Sequence, residues 1–280
     1  MEMKNFTKHF IIVVLCLSVI FTAIGTVTKN EIILALQQAT PLFSIILICI
    51  FHFKDKPFKS IKINKIGNIK YYIAALLIPT ITLFISYFAA WLFGLIKFSG
   101  QIHAASFKID VMIKFVETFF LSDIVYLTNF PLVLLWAFAE EIGWRGFLQP
   151  RLINKFGIVK GIVITGITWA LWHYPLIISG NYYEKGSIII NTILFTITVI
   201  IMSISIGYLT YKSNSVWPAV IFHTKSNLTW QLCQYFLFVS NSDKSIYICG
   251  EAGIINILIW IIFALIIMYR ISKNTNLAHA

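Results

Sequence analysis

Three groups of polar side chains interrupt the long apolar runs of this chain: the pair Glu140 and Glu141 with Arg145, then His173, then His223 with Asn227. Their types are those of proton transfer and oxyanion binding: carboxylate, imidazole and carboxamide. An ionisable residue at the centre of a membrane helix costs about 2.5–3.5 kcal/mol even on the mildest scale, so such positions are functional candidates by default.

Helical spacing divides their labour. Glu141 and Arg145 stand at i,i+4 and share a face, so they can pair. Glu140 is turned about 100° away and has no cation at i±3 or i±4. One carboxylate is therefore fixed by an arginine, and the other is free to accept or donate a proton. A purely structural ion-pair cluster would leave that second charge uncompensated. Trp169 lies four residues before His173 and can pack on the imidazole, while Pro175 loosens the helix just beyond. His223 and Asn227, again at i,i+4, can aim two donors at one point. Interhelical glue is the plainer reading of that pair. Lys225 points to roughly the opposite side and has no assigned role.

The elements that must position these groups are membrane helices. Hydrophobic residues make up 59% of 280 positions and charged residues 12%, with 24 Phe and 8 Trp. Mean hydropathy is +0.84, and a soluble domain carries roughly twice that charged fraction. Apolar runs at 10–27, 39–53, 71–96, 126–148, 161–179, 187–211, 216–239 and 254–269 approach the roughly 20 residues a span needs. The expected fold is all-α, a polytopic membrane protein of about eight transmembrane helices forming one membrane domain over 1–280. The second run is short and holds Pro41. The first lacks a small-x-small cleavage signature before Lys29 and reads as a retained helix. An amphipathic interfacial helix is expected around 111–121. Cys16, Cys49, Cys233 and Cys249 show neither metal nor disulfide spacing.

Depth then brings the three groups together. At 1.5 Å per residue, Glu140 lies about 15 Å from Pro150, His173 about 20 Å from Lys160, and His223 about 14 Å from Asn214. All fall near the middle of a roughly 30 Å hydrocarbon layer.

The net charge of +11 follows the membrane, not nucleic acid. With both termini cytoplasmic, fourteen basic residues fall inside, six of them from Lys54 to Lys70, and six fall outside. That is the positive-inside bias. The loop at 53–70 is expected to rest on anionic lipid headgroups. No aromatic-basic module supports nucleic-acid binding.

The ordered motifs Glu140-Glu141-Ile142-Gly143-Trp144-Arg145, Trp169 to His173, and His223 to Asn227 resemble the CPBP family. It is named for CAAX proteases and bacteriocin-processing enzymes and is also called Abi or type II CAAX endopeptidase. The likeness covers about 130–230, with a family-like core at 126–239, and Trp169 stands where phenylalanine is commoner in the family. It implies an intramembrane endopeptidase, or CAAX-type hydrolase, in a bacterial plasma membrane acting on a membrane-embedded or lipidated peptide. In that implication Glu140 with His173 activates a water, His223 and Asn227 stabilise the oxyanion, and Glu141, Arg145 and Trp169 give support. Family members have also carried a metalloprotease label. Glu140, His173 and His223 would be the ligands of a zinc ion, but there is no H-E-x-x-H, and the asparagine fits a glutamate-activated water better. No cofactor is favoured. Two other readings stand beside the protease: a non-catalytic scaffold or bacteriocin self-immunity protein, and a proton-coupled transporter. The lack of an internal repeat weighs against the last.

Overall fold

In the bilayer every backbone N–H and C=O must be satisfied within the protein, which restricts apolar runs of this length to helices. The computed structural model describes residues 3–51, 61–98, 130–183, 185–234, 238–240 and 243–277. Helices dominate them. In chain order these are α1 (Met3–Thr28), α2 (Glu31–Leu36), α3 (Thr40–Phe51) and α4 (Lys70–Leu92). Then come α5 (Phe130–Glu141), α6 (Gln149–Phe156), α7 (Ile158–Ile178), α8 (Ile188–Ser213), α9 (Trp217–Leu232) and α10 (Ile254–Leu277). Two three-residue strands, β1 (Ile96–Phe98) and β2 (Phe238–Ser240), pair antiparallel with Lys97 opposite Val239. The protein is an all-α polytopic membrane protein with this small ladder at one end.

Among the described residues, six segments are long and apolar enough to cross a membrane: Phe6–Thr28, Glu31–Phe51, Lys70–Leu92, Ile158–Ile178, Ile188–Ser213 and Ile254–Lys273. The remaining two expected spans, the fourth and seventh, are the ones that carry the polar groups. They form α5 with its continuation and the 16-residue α9. α9 packs against α4, α5 and α8, and so takes its apolar surroundings from protein.

The weak second span is explained by its construction. Asn30 caps α2, its side chain accepting from the Ile32 and Ile33 N–H groups. A 3-10 turn at Gln37–Ala39 then leads into α3, where Pro41 sits in the first turn and no intrahelical bond is lost. Gln37 Nε2 and Ser18 Oγ both donate to the Trp172 carbonyl, at 3.3 and 2.6 Å, about one turn before Pro175, which α7 carries within its length. Trp172 Nε1 in turn donates to Thr40 Oγ1 at 2.8 Å. The four cysteines are free thiols. The interfacial helix expected at 111–121, and the loop residues 52–60, lie outside the described residues.

Candidate active site

The site begins where α5 stops being α-helical. From Ile142 to Leu148 the chain widens into a π-helical segment, and the Gln149 N–H donates to the Trp144 carbonyl five residues back. Such widenings recur at functional sites. Two glycines allow it to be approached closely. A Cβ on Gly143 would lie 2.4 Å from Pro41 Cβ, and one on Gly146 would lie 2.5 Å from Ile61 Cγ2. Phe10 holds the segment with rings 5.8 Å from Trp144 and 5.0 Å from Phe147. Both glutamates are buried, Glu140 at 4% and Glu141 at 0% exposure.

Glu141 is the hub. Its Oε1 accepts from Arg145 Nη1 at 2.9 Å, the bond expected from spacing, and also from His223 Nδ1 at 2.9 Å. Arg145 Nη2 reaches Ser203 Oγ on α8 at 3.2 Å, and the guanidinium lies 4.2 Å from the Trp169 ring centre. Glu140 accepts from Trp169 Nε1 at 2.9 Å. Trp169 does lie beside the His173 ring, at 6.0 Å, and meets the His223 ring edge-on at 5.3 Å. Its indole N–H on Glu140 was not anticipated by its packing role.

The imidazoles are also oriented. His173 Nδ1 lies 3.1 Å from the Trp169 carbonyl. A carbonyl can only accept, so Nδ1 carries the proton and the neutral ring's Nε2 keeps its lone pair. Trp172, Phe195 and Tyr182 enclose that ring at 4.5, 4.7 and 5.4 Å. His223 donates from Nδ1 to Glu141 Oε1, which leaves its Nε2 edge for the cavity. Glu140, His173, His223 and Asn227 all line a single cavity of about 570 Å³, together with Gln37, Tyr182 and Glu251. Its exposed lining residues include Glu31, Leu132 and Asn181, so the mouth lies at the end of the bundle opposite the chain termini.

Glu251, in the turn before α10, is the cavity residue that the sequence reading missed. Tyr182 Oη donates to its two carboxylate oxygens at 3.1 and 3.0 Å, and Tyr183 Oη donates at 3.4 Å. Burial pushes its carboxyl up to about 7, partly offset by the Tyr182 bond and the nearby His223 charge. The signal that could have found it is slight: one of 11 acidic residues, outside every apolar run.

Lys225 lies on another side of α9. It lines a separate pocket of about 180 Å³ with Leu76, Phe130, Leu134 and Leu228. Among the described residues, no three His, Cys, Asp or Glu side chains are grouped to hold a metal ion. His173 and His223 each have Nδ1 engaged, and Trp169 occupies one oxygen of Glu140.

Residues 121–229 match the family model described as Type II CAAX prenyl endopeptidase Rce1-like. Over 142 residues the chain is 32% identical to CAAX prenyl protease 2 of Methanococcus maripaludis, a match covering 49% of this chain and 48% of that protein. Over 147 residues it is 26% identical to Lysostaphin resistance protein A of Staphylococcus haemolyticus, covering 51% of this chain and 37% of the relative. The matched stretch thus spans about half or less of either relative. It contains Glu140, Glu141, Arg145, Trp169, His173, His223 and Asn227, so every site residue singled out in the sequence lies in the stretch that is similar to the Rce1-like type II CAAX prenyl endopeptidases.

Proposed function

We propose that this chain is an intramembrane endopeptidase that hydrolyses a peptide bond of a membrane-embedded or lipidated peptide. The observation that carries the reading is the convergence of Glu140, His173, His223 and Asn227 on one cavity. Glu140, steadied by the Trp169 N–H, takes a proton from a water that the His173 Nε2 lone pair holds in place. The water oxygen attacks the scissile carbonyl. His223, kept cationic by Glu141, donates from Nε2 to the developing oxyanion, and Asn227 donates its amide N–H. Glu140 then delivers the proton to the leaving amine as the C–N bond breaks. A positioned base is worth about 10²–10⁴ in rate and one oxyanion donor about 10²–10³. Every step is assigned to the chain's own residues. We also infer that residues 126–239 are the catalytic core, and that the basic bias of the terminal face puts both termini in the cytoplasm of a bacterial cell, against anionic headgroups.

The resistance-protein relative keeps a non-catalytic scaffold in view as a second reading. Cleavage of a panel of membrane peptides by purified wild type and Glu140→Gln, each with and without a zinc chelator, separates the readings. Loss of cleavage with Glu140→Gln and none with chelator is the expected result. Loss with chelator restores a metal, unchanged cleavage in the variant removes Glu140, and no wild-type cleavage on any peptide favours the scaffold.

A further inference from the structure

The cavity is anionic. Its acidic lining residues are Glu31, Glu140 and Glu251, set against the single imidazolium that the mechanism gives His223, and among the described residues no lysine or arginine side chain lines it. Arg145 lies behind the Trp169 ring, committed to Glu141 and Ser203. The recorded hydrogen bonds to the Glu251 carboxylate come from the Tyr182 and Tyr183 hydroxyls, which are neutral. Those bonds fix its direction without cancelling its charge. A carboxylate has about four acceptor positions, so capacity remains for a ligand. His173, only 7% exposed, lines the same cavity with Nε2 facing no hydrogen-bond donor among the described residues, so the donor there is the water or a substrate group beside it.

Resting on the protease reading above, we propose that this cavity takes a peptide with a cationic group beside the scissile bond, a lysine or arginine side chain, and that Glu251 is the specificity residue receiving it. The ammonium or guanidinium replaces water on the free lone pairs of a carboxylate already aimed by two tyrosines. The same charges oppose a substrate whose free C-terminal carboxylate must enter the cavity, since like charges at close range discriminate against a wrong partner. The preferred substrate is therefore a cationic internal peptide segment and not a short carboxy-terminal tail.

The test uses the full chain in lipid nanodiscs and quenched fluorescent membrane-anchored peptides. The peptides differ only in the residues flanking the cleaved bond, as lysine, norleucine or glutamate, each with a free or amidated C-terminus. A charge-assisted hydrogen bond predicts a lysine-over-norleucine ratio in kcat/KM of about 10–100-fold, with glutamate poorest. Glu251→Gln should bring that ratio close to one, and Glu251→Asp should retain most of it, which a merely structural role would not do. Equal cleavage of lysine and norleucine peptides, or faster cleavage of free-acid than amidated ones, overturns the proposal. Peptide binding to wild type, read by tryptophan fluorescence, separates the two levels. Lysine-selective binding without cleavage keeps the specificity and sinks the protease, whereas cleavage without charge preference does the reverse.

Discussion

Arg145→Met removes the cation on which a fully buried carboxylate depends. In the native protein Glu141 Oε1 is shared by Arg145 Nη1 and His223 Nδ1, each at 2.9 Å, with Glu141 at 0% and Arg145 at 1% exposure. Breaking a buried pair by removing one partner costs about 3–5 kcal/mol. His223 keeps one bond to the carboxylate, and the methionine sulfur replaces part of the guanidinium contact with Trp169, worth about 0.3–1.5 kcal/mol. The loss should therefore fall at the lower end, about 3 kcal/mol, or about 6–12 °C in melting temperature. Glu141→Gln alone should cost as much, because it strands the arginine. The double variant should cost at least about 2 kcal/mol less than the two singles summed, since neither charge is then left alone. The assay is thermal unfolding in detergent, followed by a thiol-reactive dye reporting exposure of the buried Cys233 and Cys249. Strictly additive single costs, or an unshifted Arg145→Met, would refute the view that the two charges hold each other in place.

Three further outcomes are expected. Trp169→Phe keeps an aromatic ring but deletes the 2.9 Å donor to Glu140, so kcat should fall about 10–100-fold with thermal stability nearly kept; a wild-type rate would remove the indole N–H from the mechanism. Gly143→Ala puts a methyl 2.4 Å from the rigid Pro41 ring, and overpacking of this kind costs about 1–3 kcal/mol, readable as a lower melting temperature that Pro41→Gly partly restores. The lysine preference should depend on pH with the sign of a carboxylate. Burial raises Glu251 to about 7, with Tyr182, Tyr183 and His223 as the groups that lower it, so the preference is present above about pH 7 and lost as pH falls through it. A ratio that is flat from pH 5 to 9 would detach it from Glu251.

The Glu141–Arg145 bond was readable from spacing alone because an i,i+4 pair survives the widening of the helix. The His223–Glu141 bond joins positions 82 residues apart, and no local pattern encodes it. Depth along the spans placed the two motifs at one level, which tertiary packing converted into contact. Trp169 was read as a packing residue because its ring dominates its hydropathy, while its function on Glu140 runs through a single N–H. Hydropathy found the lipid-facing helices easily, but it marked the edges of α9 poorly, since a helix sheathed by protein need not satisfy the lipid. Glu251 carries little sequence signal because it lies outside the apolar runs in which a charge stands out, and the cavity borrows it from a connecting turn.

The wide turn at Ile142–Leu148 has a consequence for how this region can change over generations. A π-helical segment carries one residue more per hydrogen-bonded loop than an α-helix. Loss of any one residue there would let the ladder snap back to α-helical register. A deletion between Glu141 and Arg145 would shorten their i,i+4 spacing, and one between Arg145 and Gln149 would re-aim the side chains of the turn that now brings Gln149 to the Gly207 carbonyl. Side-chain identity at Ile142 or Leu148 can drift among apolar types, but the length of the segment cannot. In descendants of this chain, insertions and deletions should be absent from 142–148 even where substitutions accumulate.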